Sequence, residues 1–427
     1  MPRPLAVIVL AAGKGTRTKV SLPKVLLPIC GKTLLDTVLD TVSALKPKHT
    51  VAVLHHQMDR VQKTIEGRDG LLVVDQGEPR GTGHAVQVAM KALDEAAGGE
   101  FDGEVLVCYG DMPLVRAETF AMLRASKGAC GGAVLTAYME DPTGLGRAIR
   151  DERGELIGIR EEKDCSDDER LIDEINVGIT CYDASALRPA LAQLSDDNAQ
   201  GELYLTDTVE HLLQAGQVVE TATVEDEEEA LGVNSLTQLA QARDAMQLRI
   251  LEHHLAQGVI IEDPATTVID HGVTIGKDTR ILPYTVIRSS VRVGEGCEVG
   301  PFTHLRVDTV LENGAEVGNF VEAKKTTIGE GSKAKHLTYL GNTEIGKKSN
   351  IGAGTITANY DGKDKHQTVI GDGSFIGSGT VIVAPSTIGD GATIGAGAIV
   401  TKKEVPPGEI WVGLPARRHG QKEGVNS

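Results

Sequence analysis

The chain has 427 residues, 41% of them hydrophobic and 3% aromatic, and a formal net charge of −17. Its length admits two or three domains with a large core, and its charge excludes a broadly basic nucleic-acid or membrane-binding face, so any anionic substrate must be met by a local group of Lys and Arg. Six cysteines without CxxC spacing are expected as thiols of a reducing cytoplasm, and no apolar run is long enough to span a membrane.

Residues 1–13 mimic an export signal: Arg3, the apolar run Leu5–Leu10, then Ala11-Ala12-Gly13. The run is short, and a Gly-rich turn behind it suits a buried parallel strand better. Similar runs at 51–54, 71–74, 105–109 and 133–138 alternate with helical patterns such as 33–45. That alternation predicts a doubly wound, Rossmann-like α/β domain to about residue 230, with ligands beyond the carboxyl ends of its strands.

The first loop there runs from Leu10 to Arg17 and is completed by Leu22-Pro23-Lys24. It matches neither GxGxxG nor GxxxxGK[ST]. Gly13 and Gly15 would let backbone N–H groups approach phosphate oxygens, while Arg17 and Lys24 supply charge. In the second loop, from Gln76 to Ala85, the Gln76 amide can read a uracil edge, and Gly81-Thr82 permits close approach; an ordinary β–α turn is the alternative. In the third, Cys108-Tyr109-Gly110-Asp111, the carboxylate suits a Mg²⁺ ligand or a helix N-cap. Thr143 to Arg147, Glu161 to Asp164 and Glu174 to Gly178 offer polar groups for hydroxyls. The acidic run 225–229 is expected as solvated surface, and Asn234 beyond it as a second ligand to the metal on Asp111.

A helical pattern over 236–255 places Leu239, Ala242, Met246, Ile250 and Leu255 on one face and predicts a linker helix. From Ile275 an aliphatic residue then recurs every sixth position, through Ile281, Ile287, Val293, Val299, Leu305, Leu311 and Val317. After one-residue shifts it resumes as Ile328, Ala334 and Leu340, then Ile345 and Ile351, then Ile370 to Val400. Small residues two positions ahead, such as Thr368, Ser374 and Ala392, share the interior. This period fits a hexapeptide parallel β-helix, whose coils are stable only as a stack. The expected domains are 1–233, a helix over 234–257, and a β-helix with tail over 258–427.

Together these motifs resemble the bifunctional N-acetylglucosamine-1-phosphate uridylyltransferase/glucosamine-1-phosphate N-acetyltransferases of bacterial cell-wall precursor synthesis. The resemblance covers nearly the whole chain. It implies a left-handed β-helix, a homotrimer, a cytoplasmic location, and UTP, N-acetylglucosamine 1-phosphate, glucosamine 1-phosphate and acetyl-CoA as substrates. It assigns UTP or UDP-N-acetylglucosamine to Leu10, Ala11, Ala12, Gly13, Lys24, Gln76, Gly81, Thr82, Tyr109, Gly110, Gly146, Glu161, Asn176 and Asn234. Mg²⁺ goes to Asp111 and Asn234. In the β-helix it assigns glucosamine 1-phosphate to Arg306, Lys324, Tyr339 and Asn350. Acetyl-CoA goes to Ala353, Asn359, Tyr360, Ser378 and Ala396, between neighbouring subunits. The family often places an Arg for the CoA phosphates near the end of the chain, where this one has Trp411 to Pro415; Arg417 or Arg418 would substitute.

The chemistry then divides in two. Uridylyl transfer brings two polyanions together, so Arg17, Lys24 and the metal would neutralise charge, and no protein base is needed. Acetyl transfer requires the sugar ammonium to lose a proton, which an imidazole can accept; His336 has that role, beside Arg306 and Lys324. The stretch Asn359 to His366 leaves the regular ladder and reads as a functional loop or a structural bulge. A sugar nucleotidyltransferase with a purely structural β-helix, and a non-catalytic trimeric scaffold, are the alternative readings.

Overall fold

Every residue of Leu5–Leu10 (β1) is buried, because the strand lies inside a sheet covered on both faces. The structure, a computed structural model, describes residues 3–421. Its chain divides into two units, Met1–Ala245 and Met246–Ser427.

In the first unit β1 is followed by His49–Leu54 (β2), Leu71–Asp75 (β3), Glu104–Tyr109 (β4), Gly132–Tyr138 (β5), Arg147–Arg150 (β6), Leu156–Arg160 (β7), Glu174–Asp183 (β8) and Val219–Thr223 (β9). The sheet order is β9-β5-β8-β4-β1-β2-β3, with β6 and β7 hanging from β8. β8 runs antiparallel to β4 and β5, while β1 is parallel to β2 and β4.

Strand alternation sorts the helices onto the two faces. Leu5, Val7 and Val9 share a core with residues of Leu34–Ser43 (α1), Met58–Ile65 (α2) and Ala117–Lys127 (α4). Ala6, Ile8 and Leu10 share the other with Thr82–Ala97 (α3), Ala184–Ala192 (α5) and Asp207–Gln214 (α6). Because β2 and β4 flank β1, the strand order reverses there, and loops 11–17 and 110–113 leave from the carboxyl ends at that switch point.

The acidic run 225–229 is not simply solvated. Glu229 is buried; its Oε2 accepts the Arg116 N–H at 2.9 Å and the Thr119 hydroxyl at 2.5 Å. A carboxylate there answers one backbone amide, one hydroxyl and the positive end of α4.

Leu236–Ala256 (α7) forms over the expected window. Of the expected apolar face, Ala242 and Met246 are buried and Ile250 packs against the core of the second unit, and only Leu255 departs. Leu255 is 42% exposed, and Leu251 joins the core of the second unit instead.

In that unit the strands fall in turn on three parallel sheets. The six-residue ladder is its interior: Ile281, Val299, Val317, Ala334, Ile351, Ile376 and Ile394 stack coil upon coil in register. All are buried, as are Thr368, Ser374, Thr380, Ser386, Ala392 and Ala398 two residues ahead of large ones. Ser374, Thr380 and Ser386 are tolerated inside because their hydroxyls donate to carbonyls, those of Gly389, Gly377 and Val383, while the Thr368 hydroxyl is buried without a hydrogen-bond partner among the described residues. Coil-to-coil bonds span 18 residues between Asp372 and Asp390, 17 between Ser349 and Ser332, and 25 between Ser374 and Ser349. The ladder's breaks are therefore shortened corners and one excursion, after Ala358, before Thr368 rejoins the sheet.

Candidate active sites

In the first unit the chemistry gathers at the switch point. Lys24 opens a short 3-10 turn after Pro23. A Cβ on Gly15, which has φ +60°, would lie 2.6 Å from the Lys24 Cβ, so only glycine lets the loop close over this lysine. The Lys24 ammonium pairs with the Asp111 carboxylate and donates to Asn234 Oδ1 at 3.0 Å. Asp111 follows β4 and does not cap a helix: the N-cap of α4 is Arg116. Its carbonyl accepts Val233 N–H at 2.9 Å, which carries Asn234 alongside. Gln238 Oε1 accepts the Asn234 N–H while Ser235 Oγ accepts that of Gln238, so a box of the S-x-x-Q kind at the start of α7 fixes Asn234.

The other loops join at strand ends. Ala11 N–H donates to Val53 O, and Gly110 N–H to Leu10 O. Gln76 is buried and spends one amide donor on Gly81 O at 3.0 Å. A Cβ on Gly81 (φ +104°) would lie 2.5 Å from Leu203 O, and Thr82 Oγ1 accepts the Leu205 N–H. Gly13 and Ala12 sit on the same loop, Gly13 with open space around it. Arg17 is exposed in the turn Thr16–Thr18 and is not part of the Lys24 cluster.

A second group lies beside Tyr109. Tyr109, Asn176 and Thr206 line one cavity with Gly178. A side chain on Gly178 (φ +86°) would lie 2.6 Å from the Tyr109 ring. Asn176 N–H donates to Gly146 O at 2.8 Å, and Asn176 Oδ1 accepts the Gly178 N–H. Thr206 donates to Glu161 Oε1 at 3.0 Å. Burial raises the Glu161 carboxyl above its usual range, with Asp207 and Asp164 adding to the effect. The Tyr109 phenol is also pushed up, by burial first and then by Glu161 and Asp111. Thr206 carries no motif of its own, and its contact with Glu161 joins segments 45 residues apart.

In the second unit His336 ends the strand Lys333–His336, exposed and paired in register with Asn319. Lys324 lies on a neighbouring sheet in register with Gly341, and Tyr339 with Glu322. Arg306 donates to Glu322 Oε1 at 2.6 Å. The Lys324 ammonium is held below its ordinary value, first by the charge of Lys365 and then by that of Arg306. Three cations, Arg306, Lys324 and Lys365, are thus gathered in one neighbourhood, with Arg306 partly answered by Glu322. Lys365 had no assigned role in the sequence, since only the excursion brings it back against Lys324.

That excursion is ordered by its own Asp361, whose carboxylate accepts the N–H groups of Lys363 and Asp364 and lies 2.6 Å from His366 Nε2. These contacts depress its pKa strongly. Asn359 is buried and donates to Asn342 Oδ1, while Tyr360 is exposed with its hydroxyl on Gly362 O. A Cβ on Gly341 would meet both the Tyr339 hydroxyl and the Asn359 amide within 2.8 Å, so these two groups face one point. Asn350 pairs with Lys333 across the His336 sheet. Ala353, Ser378 and Ala396 follow one corner, where Gly379 N–H donates to Ala353 O and Gly397 N–H to Ser378 O. Arg418 is engaged by Glu409 at 3.1 Å, and Arg417 donates to Ala416 O.

No group of three or more His, Cys, Asp or Glu suited to a metal occurs among the described residues. Asp111 and Asn234 nonetheless aim one carboxylate and one amide oxygen at a single cationic atom. That sparse oxygen set suits Mg²⁺, which keeps waters and shares substrate phosphates.

Residues 7–212 match the MobA-like NTP transferase domain, and 272–307 and 367–402 match the bacterial transferase hexapeptide repeat. The chain is 44% identical to a protein of Synechococcus sp. (strain RCC307) described as bifunctional protein GlmU, over 96% of each chain. It is 44% identical to one so described from Paenarthrobacter aurescens (strain TC1), over 98% of this chain and 91% of that one. With another from Pelobacter propionicus the identity is 43% over 95% of each.

Proposed function

The chain belongs to the bifunctional GlmU family, and from that premise we propose how its two sites divide the work. The protein is an N-acetyltransferase and a nucleotidyltransferase of UDP-N-acetylglucosamine synthesis: glucosamine 1-phosphate is acetylated, and the product then receives a uridylyl group from UTP.

In the first unit, Lys24 and the loop from Leu10 to Gly13 bind the UTP phosphates, and Gln76 with Gly81 and Thr82 reads the base. Glu161, Asn176 and Gly146 hold the sugar. A phosphate oxygen of N-acetylglucosamine 1-phosphate attacks the α-phosphorus in line and pyrophosphate leaves. The attacking oxygen is already ionised, so Lys24 acts by neutralising charge, and Arg17 adds to it from the exposed turn. Asp111 and Asn234 would hold Mg²⁺, which supplies further charge neutralisation when bound. The observation that carries this reading is the convergence of Asp111 and Asn234 on Lys24.

In the second unit, Arg306, Lys324 and Lys365 receive the phosphate of glucosamine 1-phosphate, with Tyr339 and Asn350 on its sugar. His336 takes a proton from the amine, whose nitrogen attacks the acetyl carbonyl; the CoA thiolate leaves. Asn359, Tyr360, Ala353, Ser378 and Ala396 bind acetyl-CoA. The working form is a homotrimer. Supporting that, Tyr284, Phe302 and Phe320 stack face to face on successive coils, at 4.8 and 5.2 Å between centroids, yet are 47–57% exposed.

The protein acts in the cytoplasm. No described helix is long and apolar enough to cross a membrane, and the six cysteines form no disulfide. The test assays each half-reaction with and without a chelator. Pyrophosphate release should vanish on chelation, while thiol release from acetyl-CoA with glucosamine 1-phosphate persists. Absence of thiol release would reduce the β-helix to a scaffold.

A further inference from the structure

Arg147 is the largest of the fully buried side chains among the described residues, 1% exposed at the start of β6. A guanidinium cannot shed its charge, so burying it is costly unless its donors are met. They are met by three separate segments. Nη1 donates to Leu145 O, Nε to Ile172 O at 2.9 Å, and Nη2 to Arg170 O at 3.4 Å. Nη2 also lies 2.9 Å from Glu162 Oε2, an ion pair without hydrogen-bond alignment.

Each anchor adjoins a group assigned above to the sugar. Leu145 precedes Gly146, Glu162 follows Glu161, and Ile172 leads into β8, which carries Asn176. One direct bond, Asn176 N–H to Gly146 O, already joins two of the segments. The third is joined to the first through the β6–β7 ladder, where Arg147 pairs with Arg160 just before Glu161, and beyond Glu161 it is tied outward: Asp164 accepts the Ala199 N–H and Lys163 donates to Gln200. Beyond those backbone pairings, the Arg147 side chain reaches all three, by hydrogen bonds to two and an ion pair to the third.

We propose that Arg147 is the positioning residue of the sugar-phosphate subsite, setting the spacing between Gly146, Glu161 and Asn176 without touching substrate. The inference rests on the assignment of those three residues to the sugar. Lysine keeps the charge but cannot fan its donors across three carbonyls and a carboxylate. A displacement of about 1 Å in such a constellation costs up to about 100-fold in rate.

The test compares Arg147→Lys, Glu162→Gln and Asn176→Ala in the full-length protein. Steady-state constants are measured for both uridylyl substrates, with acetyl transfer and thermal unfolding alongside. The expected result for Arg147→Lys is a KM for N-acetylglucosamine 1-phosphate raised about tenfold or more, with KM for UTP within about twofold and acetyl transfer unchanged. Glu162→Gln should move the same constant in the same direction by less. A folded Arg147→Lys protein with unchanged sugar-phosphate KM, or with both KM values raised equally, would overturn the inference. If the uridylyltransferase unit of that variant melts below the assay temperature, Glu162→Gln decides, and an unchanged KM there overturns it. Asn176→Ala separates the two levels. If it raises the sugar-phosphate KM while the other variants do not, only the role of Arg147 falls; if it has no effect, the sugar subsite itself is misassigned.

Discussion

Glu161 is a carboxyl held in a desolvated place, where burial raises its pKa and the Thr206 hydroxyl donates to it. Because its folded pKa lies above the unfolded value, the folded state binds the extra proton, and stability falls as pH rises through the folded pKa. Glu161→Gln keeps an acceptor for Thr206 and removes the charge. The variant should therefore be more stable than wild type at neutral pH, with the difference closing as pH falls below the ordinary carboxylate range, while uridylyl transfer drops. Urea unfolding at several pH values checks this; a variant less stable at neutral pH contradicts it. At Lys365 the effect is one of charge: Lys365→Ala should raise KM for glucosamine 1-phosphate and release the depressed Lys324 ammonium toward its ordinary value, leaving uridylyl transfer alone. Asp111 was legible from its place at a strand end, Lys24 as the charge completing the Gly-rich loop, and Asn234 as a candidate second metal ligand beyond the acidic run. Lys365, Thr206 and Arg147 were not, since their meaning lies in partners distant in the chain.

Among the elements, the Gly81 turn joins sequence to site most tightly. With φ +104° and Leu203 backbone atoms within 2.8 Å of any added Cβ, Gly81→Ala should cost about 1–3 kcal/mol and displace Gln76, seen as a lower unfolding midpoint and a raised KM for UTP. The β-helix ladder was readable almost residue by residue, because a period of six has one physical solution and each inward slot is either large or small. The breaks were visible as shifts of register, but their outcome was not. A shortened corner and an excursion both interrupt the period, and only the Asp361 turn, with its two amide donors and His366, tells how the excursion folds. Helix α7 illustrates the opposite limit: its extent followed from periodicity, yet Leu251 rather than Leu255 entered the core. Glu229 likewise sat in an acidic run whose composition said surface, and its burial depends on the N-terminus of α4.

For the whole molecule, the exposed stack of Tyr284, Phe302 and Phe320 is the surface on which the trimer is proposed to depend. Phe302→Glu should shift sedimentation from trimer toward monomer and lower acetyl transfer with it, while uridylyl transfer remains. Retention of the trimer would move the interface elsewhere. The division of labour between two chemically independent sites, each with its own residues and only the acetyl-transfer site dependent on the trimer, is the centre of the proposed function. It is tested most directly by assaying both half-reactions on Asp111→Ala and His336→Ala in parallel. Asp111→Ala should lose pyrophosphate release while keeping acetyl transfer, and His336→Ala should do the reverse. Loss of both activities in either folded variant, or full acetyl transfer without His336, would contradict it.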